Sequence, residues 1–373
     1  MEKVVFVQCA SYTPDQVADA LERLLTPLGG MANYVRPGQK VLLKPNMLAA
    51  RLPEEAVTTH PALVACVVRA VVAAGGEALV GDSPGIGSMA RVGEKSGIRE
   101  AVEAAGGRMA AFDEICVVEG IGTFRRLDLA RTYCEADVVI NLPKLKTHEM
   151  MTLTCGVKNL YGAVVGAAKA GLHLTAGRSK ELFAGLLLEI AQARPVALTI
   201  VDGITAMEGN GPNSGTPRSL GLLLAGENPI AVDTVAARIA GIPPELLPVE
   251  REARRRGLPG TEFDQIQLCG DLLLPPVVQP FRLPEGLDVQ FGLPGFLKVL
   301  LRNQLTPLPE AIEKNCVLCG ICRDACPPQA ITLQKNALKV NSGRCIRCWC
   351  CRELCPHHAL KVKKSLLLRM IGG

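Results

Sequence analysis

Aromatic residues are scarce in this chain, at 3% of 373 residues with a single Trp. A protein that holds single-stranded nucleic acid by stacking needs a platform of such rings, and too few are available to build one. Long apolar runs are also missing. The run at Ala62–Ala74 is interrupted by Arg69 and falls short of the roughly 20 residues that cross a bilayer. No membrane span is therefore expected, although mean hydropathy is +0.23. Nothing at the start reads as a secretory leader. Nor does either sign of charge dominate: 41 Lys and Arg face 36 Asp and Glu, a formal +5. The length suffices for one sizeable core and a small second domain.

Cysteine, by contrast, is abundant. Of 15 Cys, nine lie between Cys316 and Cys355, and the remaining six are scattered. The cassette reads C-x2-C-x2-C-x3-C-P twice, the spacing that holds a pair of four-iron clusters in bacterial-type ferredoxins. Three thiolates on one tight loop grip three irons, and the distant fourth Cys, followed by Pro, crosses to the other cluster. Carried over position by position, one [4Fe-4S] cluster takes Cys316, Cys319, Cys322 and Cys355. The other takes Cys345, Cys348, Cys351 and Cys326. Cys350 falls outside the spacing and is expected to be a spare. Zinc sites take four ligands, usually as two separated pairs, and have no use for two such runs. A disulfide scaffold suits short secreted chains instead. Two loaded clusters, each about −2, would bring the net charge to about +1 and remove most of the case for nucleic acid. The scattered Cys fit reduced core positions, so a reducing, anaerobic cytoplasm is the expected home.

The first 271 residues alternate short β-branched runs with longer helix-like segments, which predicts an α/β domain with a mostly parallel sheet and helices on its faces. Expected strands are Val4–Val7, Val41–Leu43, Ala78–Val80, Val138–Ile140, Ala197–Val201 and Leu220–Leu224. Expected helices are Pro14–Leu28, Pro61–Ala74, Lys180–Ala193 and Pro229–Ala240. Residues 272–310 read as a Pro-rich linker holding a short amphipathic helix at Gly295–Leu305. Residues 311–365 read as a small α+β two-cluster domain, and 366–373 as a tail. Four polar stretches each follow directly on a strand. Ligands bind outside the carboxyl ends of strands in open α/β sheets, so these four are expected to converge on one cleft.

Lys144, Lys146, His148, Lys158 and Asn159 lie within 19 residues, and clustered cations suit a carboxylate or phosphate. The alternation of Lys144 and Lys146 with apolar neighbours also fits an exposed strand end. Buried lysines drop in pKa and become bases or nucleophiles. Gly81–Ser88 follows a strand, and its backbone N–H groups, with Ser83 and Gly85, would approach an anion, joined by Lys44 and Asn46. The stretch matches neither the dinucleotide fingerprint nor the P-loop. Asp82, Asp202 and Glu208 would serve as bases, hydrogen-bond acceptors or hard-metal ligands; Asp-Gly is equally a favoured turn pair. His60 and Cys155 are weaker choices, the latter read as structural.

The motifs Leu-Leu-Lys-Pro-Asn, Gly-Asp-Ser-Pro-Gly, Asn-Leu-Pro-Lys-Leu-Lys-Thr-His and Gly-Val-Lys-Asn-Leu-Tyr-Gly resemble the family called domain of unknown function 362. Its members often carry a similar ferredoxin module behind this domain. The resemblance implies continuity of fold and a set of positions, not a reaction. A fainter similarity, to the nickel-dependent lactate racemases, rests on a His followed by a Gly-rich turn with a Lys, here His148 and Lys158.

The expected function is an iron–sulfur oxidoreductase. Electrons would pass between the clusters and a small anionic substrate or cofactor on the α/β domain, with a ferredoxin-type redox partner protein as donor or acceptor. A tethered donor sees its acceptor at about millimolar effective concentration. Lys144, Lys146, His148 and Lys158 would bind or protonate the substrate, while Asp82, Asp202 and Glu208 orient it. Two alternatives stand beside this. One is a non-enzymatic electron carrier or adaptor, and the other a non-redox enzyme with structural or sensory clusters. A further flavin or metal in the α/β domain stays open, with no flavin fingerprint in the chain.

Overall fold

The computed structural model describes residues 1–85, 87–166, 168–176, 179–271, 279–285, 307–334 and 337–363. The expected helix at Gly295–Leu305 and the tail from 366 lie outside these residues.

The strands of the first domain are β1 (Glu2–Gln8), β2 (Lys40–Pro45), β3 (Glu77–Val80), β4 (Arg108–Met109), the hairpin β5 (Ile115–Glu119) and β6 (Arg126–Ala130), β7 (Val138–Leu142), β8 (Lys144–His148), β9 (Thr152–Thr154), β10 (Leu198–Glu208), β11 (Thr216–Gly226) and β12 (Ile266–Gly270). Ten of them form one sheet in the order β12-β1-β11-β10-β7-β2-β3-β4, with β8 on β10 and β9 on β8. Pairing is parallel through β10-β7-β2-β3-β4, β10-β8 and β1-β12, and antiparallel at β1-β11, β10-β11 and β8-β9. The domain is α/β with a mostly parallel sheet.

Helices cover both faces, so the central strands are continuous apolar runs rather than alternating ones. Val5, Val7, Val41 and Leu43 pack with α1 (Pro14–Leu25) and α2 (Pro61–Ala73). Leu42 and Val139 face the other side, against Phe183 and Leu187 of α8 (Lys180–Ala193). Each such side chain, fully buried, contributes about 1.5–3 kcal/mol. Helix starts are set locally. Pro61 occupies the first turn of α2 while His60 Nδ1 accepts from Ala62 N–H, and Ser179 Oγ caps α8 through Leu182 N–H. Asn228 caps α9 (Pro229–Ile239) in the same way. The first helix ends as an α-helix at Leu25, and a 3-10 turn carries Thr26–Leu28; Pro27, which lacks an N–H, ends the α-helical ladder there.

Two elements depart from the expected layout. Asp202-Gly203 is not a turn. β10 continues through it to Glu208, with an irregularity between Gly203 and Thr205, and pairs first with β7 and then with β8. The stretch after Leu142 is likewise not an open loop, because Lys144–His148 forms β8.

The C-terminal part pairs β13 (Leu308–Ala311) with β16 (Leu360–Lys363), and β14 (Ile331–Gln334) with β15 (Ala337–Val340). Two short helices lie inside the two Cys runs, at Ile321–Asp324 and Cys350–Glu353.

Candidate functional site

A cavity of about 360 Å³ opens where strand ends of the α/β domain meet the Cys-rich part. Its wall includes Asn46, Asp82, Ser83, Gly85, Lys146, His148, Lys158 and Asn159. The strand ends expected to converge therefore do so in part.

Lys146 lies on β8 and is fully buried; its Nζ donates to Asn46 Oδ1 (3.0 Å) and Val57 O (2.6 Å). Asn46 is held in turn by a chain of amides: its Nδ2 donates to Asn159 Oδ1, and Asn159 Nδ2 donates to Asn141 Oδ1 and Lys44 O. Burial pulls Lys146 down to about 7, with Glu353 and Asp82 opposing and Lys144 and Lys158 assisting. Lys158, on the turn Gly156–Asn159, has its Nζ 4.8 Å from the Tyr161 ring centre and 5.8 Å from that of Phe183. Desolvation lowers it as well.

His148 Nδ1 accepts from the N–H groups of Met150 (3.0 Å) and Met151 (3.2 Å). An accepting Nδ1 assigns the ring proton to Nε2. Burial and the surrounding lysines keep the ring well below its ordinary pKa, hence neutral. His148 is thus a neutral donor rather than a base, with Nε2 3.9 Å from Glu353 Oε2.

Five expected residues are committed to ion pairs within the fold. Lys44 Nζ pairs with Asp82 Oδ1 at 2.7 Å, and Asp82 Oδ2 accepts from Met47 N–H. Lys144 Nζ pairs with Asp202 Oδ2 at 2.6 Å with both side chains fully buried, not on an exposed strand end. Asp202 also accepts from Tyr12 Oη and His60 N–H. Neither Lys144 nor Asp202 lines the cavity, because β10 runs on beside β8 and places Asp202 opposite Lys144 within the sheet. Glu208 is held by Arg218 and Arg282, each at 2.7 Å, and away from the cavity wall. Burial pushes its carboxyl up, but those hydrogen bonds outweigh this and hold it below its ordinary value.

In the expected backbone cradle the N–H groups of Gly81, Ser83 and Gly85 are already spent. Ser83 N–H donates to Gly162 O (3.1 Å) and Gly85 N–H to Leu48 O (3.0 Å). His60 caps α2 and stacks on Tyr12, and Cys155 is buried with its thiol pushed up by desolvation.

Several wall residues escaped the sequence reading. Lys169, on α7 (Ala168–Ala176), donates its Nζ to Ser83 O and Pro84 O, and burial pulls it to about 8. His173 stacks on Phe183 at 4.3 Å, and burial drives it to about 3. Both stand in an Ala- and Gly-rich segment with no motif around them. Glu353, Cys350, Ala325 and Pro327 come from the Cys-rich part and complete the wall. The last two flank Cys326, and Cys350 lies with Trp349 between Cys348 and Cys351.

The cassette Cys gather in the two sets that the spacing implies. Cys316, Cys319, Cys322 and Cys355 line one small cavity, and Cys326, Cys345, Cys348 and Cys351 line another. The backbone repeats between them. Leu318 and Arg347 have φ of 55° and 59°, Gly320 and Trp349 85° and 64°, and Gln329 and His358 49° and 48°. Cys326 Sγ accepts from Ala330 N–H and Cys355 Sγ from Ala359 N–H, both at 3.2 Å. Cysteines held on curled loops, two of them with an N–H group on sulfur, fit the ligation of four-iron clusters. Among the described residues no three His, Cys, Asp or Glu converge on a single ion; a cubane instead binds one thiolate per iron.

Residues 41–238 match the family described as domain of unknown function (DUF362). A thylakoid-associated protein of Synechocystis is 40% identical over 306 residues, covering 81% of this chain and 94% of that protein. Among solved structures, the lactate racemase apoprotein of Thermoanaerobacterium thermosaccharolyticum is 13% identical at a TM-score of 0.42, and the match spans 64% of this chain and 57% of that one. A Thermotoga maritima protein is 13% identical at 0.36, over 56% of this chain and 54% of its own.

Proposed function

The chain belongs to the family described as domain of unknown function (DUF362), and from that premise we propose that it is an iron–sulfur oxidoreductase acting on a small anionic molecule. The observation that carries this reading is the shared wall. Residues beside Cys326, Cys348 and Cys351 line the same cavity as Lys146, His148 and Lys158.

Two four-iron clusters, held by Cys316, Cys319, Cys322 and Cys355 and by Cys345, Cys348, Cys351 and Cys326, would supply single electrons. The rest is work for the protein. The ammonium groups of Lys146 and Lys158 attract and orient the anion. Lys146, with a pKa of about 7, is poised to give up a proton near neutral pH. His148 donates a hydrogen bond from Nε2 to an oxygen of the bound molecule. The Lys44–Asp82 pair supports the wall behind it. Val317, 62% exposed, and the exposed Cys319 put the first Cys loop where a redox partner protein would dock. Among the described residues no helix is long and apolar enough to cross a membrane; a reducing, oxygen-free compartment suits the proposed clusters.

The test begins with protein purified without oxygen, in which about eight irons and eight sulfides per chain are expected. The dithionite-reduced protein is then mixed with small anions while visible absorbance is followed. Lys146→Met and His148→Phe should slow reoxidation by about 100-fold with the oxidised spectrum unchanged. Equal reoxidation by wild type and both variants would remove the oxidoreductase and leave an electron carrier.

A further inference from the structure

Two of the lysines around this site are neutralised within the fold, Lys44 by Asp82 and Lys144 by Asp202. Three others reach the cavity wall with no carboxylate at ion-pair distance among the described residues. Among the described residues Lys146 is held by an amide oxygen and a carbonyl, and Lys169 by two carbonyls. Lys158 lies over two aromatic rings. His148 and His173 are neutral, because burial lowers both. Of the wall carboxylates, Asp82 belongs to Lys44, and only Glu353 is left. Three ammonium groups against one carboxylate leave the side chains of the wall about two positive charges in excess when all are ionised; a neighbouring cluster of about −2 offsets part of this surplus, and a bound anion relieves it at the ammonium groups themselves.

The placement of the charges narrows the anion further. A phosphate is usually held as a compact group by successive backbone N–H groups. Here the N–H groups of Ser83 and Gly85 are already spent on Gly162 O and Leu48 O. The three lysines come instead from separate elements: β8, the Gly156–Asn159 turn and α7. The same wall also carries Leu48, Pro84, Tyr161, Pro212 and Leu354. Two buried polar atoms on the same wall, Thr154 Oγ1 and His173 Nδ1, have no hydrogen-bond partner among the described residues. Cations on three separate elements, apolar wall residues and free polar atoms fit a molecule with more than one negative group joined by an apolar link.

We infer that the ligand of this cavity is a small dicarboxylate, held at its two ends by Lys146, Lys158 and Lys169. This rests on the reading of the cavity as a substrate site, and it adds Lys169 to the binding residues. The carboxylates bind as separate groups, and the short chain between them lies along the apolar wall.

Equilibrium binding to the full-length, cluster-containing protein tests this without any turnover. Titration calorimetry under nitrogen would compare succinate with butyrate, which has the same number of carbons and one carboxylate fewer, and with inorganic phosphate. Succinate should bind at least about tenfold more tightly than either, the factor expected for one more charge-assisted contact. Lys158→Met and Lys169→Met should each abolish that preference while butyrate binding changes little. Should either variant fail to fold, the wild-type ranking of the three ligands still decides. Equal affinity for succinate and butyrate, or tighter binding of phosphate, would overturn the dicarboxylate. The two proposals fail separately. Succinate preference without reoxidation by any anion would sink the redox reading and leave this one, and reoxidation by monoanions alone, without that preference, would do the reverse.

Discussion

At the scale of single residues, the contrast between paired and unpaired lysines governs the chemistry. Lys144 has a carboxylate at 2.6 Å and is structural, whereas Lys146, two residues along the same strand, has none at that range. Desolvation therefore acts on Lys146 with weaker opposition and brings it to about 7, and Lys169 to about 8. Glu353 and Asp82 pull Lys146 back up; Lys144 and Lys158 push it down. The sign for anion binding follows, since only the ammonium form attracts an anion. As pH rises from 7 to 9 both groups lose their protons and affinity should fall, by at most about tenfold per pH unit per group. Succinate titrations across pH 6–9 would read this, and in Lys146→Met the fall should begin later, near the Lys169 value. A wild-type affinity that is flat to pH 9 would mean that neither lysine contacts the ligand.

At the scale of elements, β10 decides which residues serve structure and which serve the site. Asp202 sits where β10 leaves β7 for β8, and its carboxylate ties Lys144 of β8, Tyr12 beyond β1 and the N-terminal end of α2 through His60 N–H. Asp202→Asn leaves a fully buried ammonium without its counter-charge, and such a change costs roughly 3–5 kcal/mol. Glu208→Gln, six residues along, loosens contacts to arginines that are 20% and 65% exposed, so about 1 kcal/mol or less is expected. Urea unfolding of the two variants checks the ranking, and equal midpoints would refute it. The same strand marks where sequence reading stopped. The alternation of elements and the polar strand ends were legible, since strand-then-loop spacing is local. The continuation of β10 was not, because Asp-Gly looks like a turn unless the β11 partner beside Gly203 is known. Nor could spacing reveal that Lys44 and Lys144 meet carboxylates 38 and 58 residues away. Lys169 and His173 were invisible for a plainer reason: only the fold of α7 brings them to Ser83 and Phe183.

At the scale of the whole molecule, the cavity exists only while the Cys-rich part is docked, because Glu353, Leu354, Cys350, Ala325 and Pro327 form one of its sides. Several polar groups join the two parts. Asn213 Nδ2 donates to Glu353 O at 2.8 Å, and His358 lies between Ser214 Oγ (2.5 Å) and Arg51 Nη2 (3.0 Å). Among the buried contacts between the two parts, besides Cys348 and Cys350 in the apolar cluster, is the ion pair of Arg352 with Glu149, whose side chains are 8% and 3% exposed. Glu149 directly follows His148, so this pair also fixes the strand end that bears the imidazole. Removing one charge from a desolvated pair costs roughly 3–5 kcal/mol, whereas replacing both by apolar groups of similar volume is often neutral. Glu149→Gln should therefore weaken succinate binding and lower stability to urea. The double change Glu149→Met with Arg352→Leu should recover most of both, with the visible spectrum of the clusters unchanged throughout. A double variant no better than the single one would mean that the pair guides docking through its geometry rather than by neutralising buried charge. Recovery of stability without recovery of binding would place the Arg352–Glu149 contact among the groups that orient His148 for its ligand.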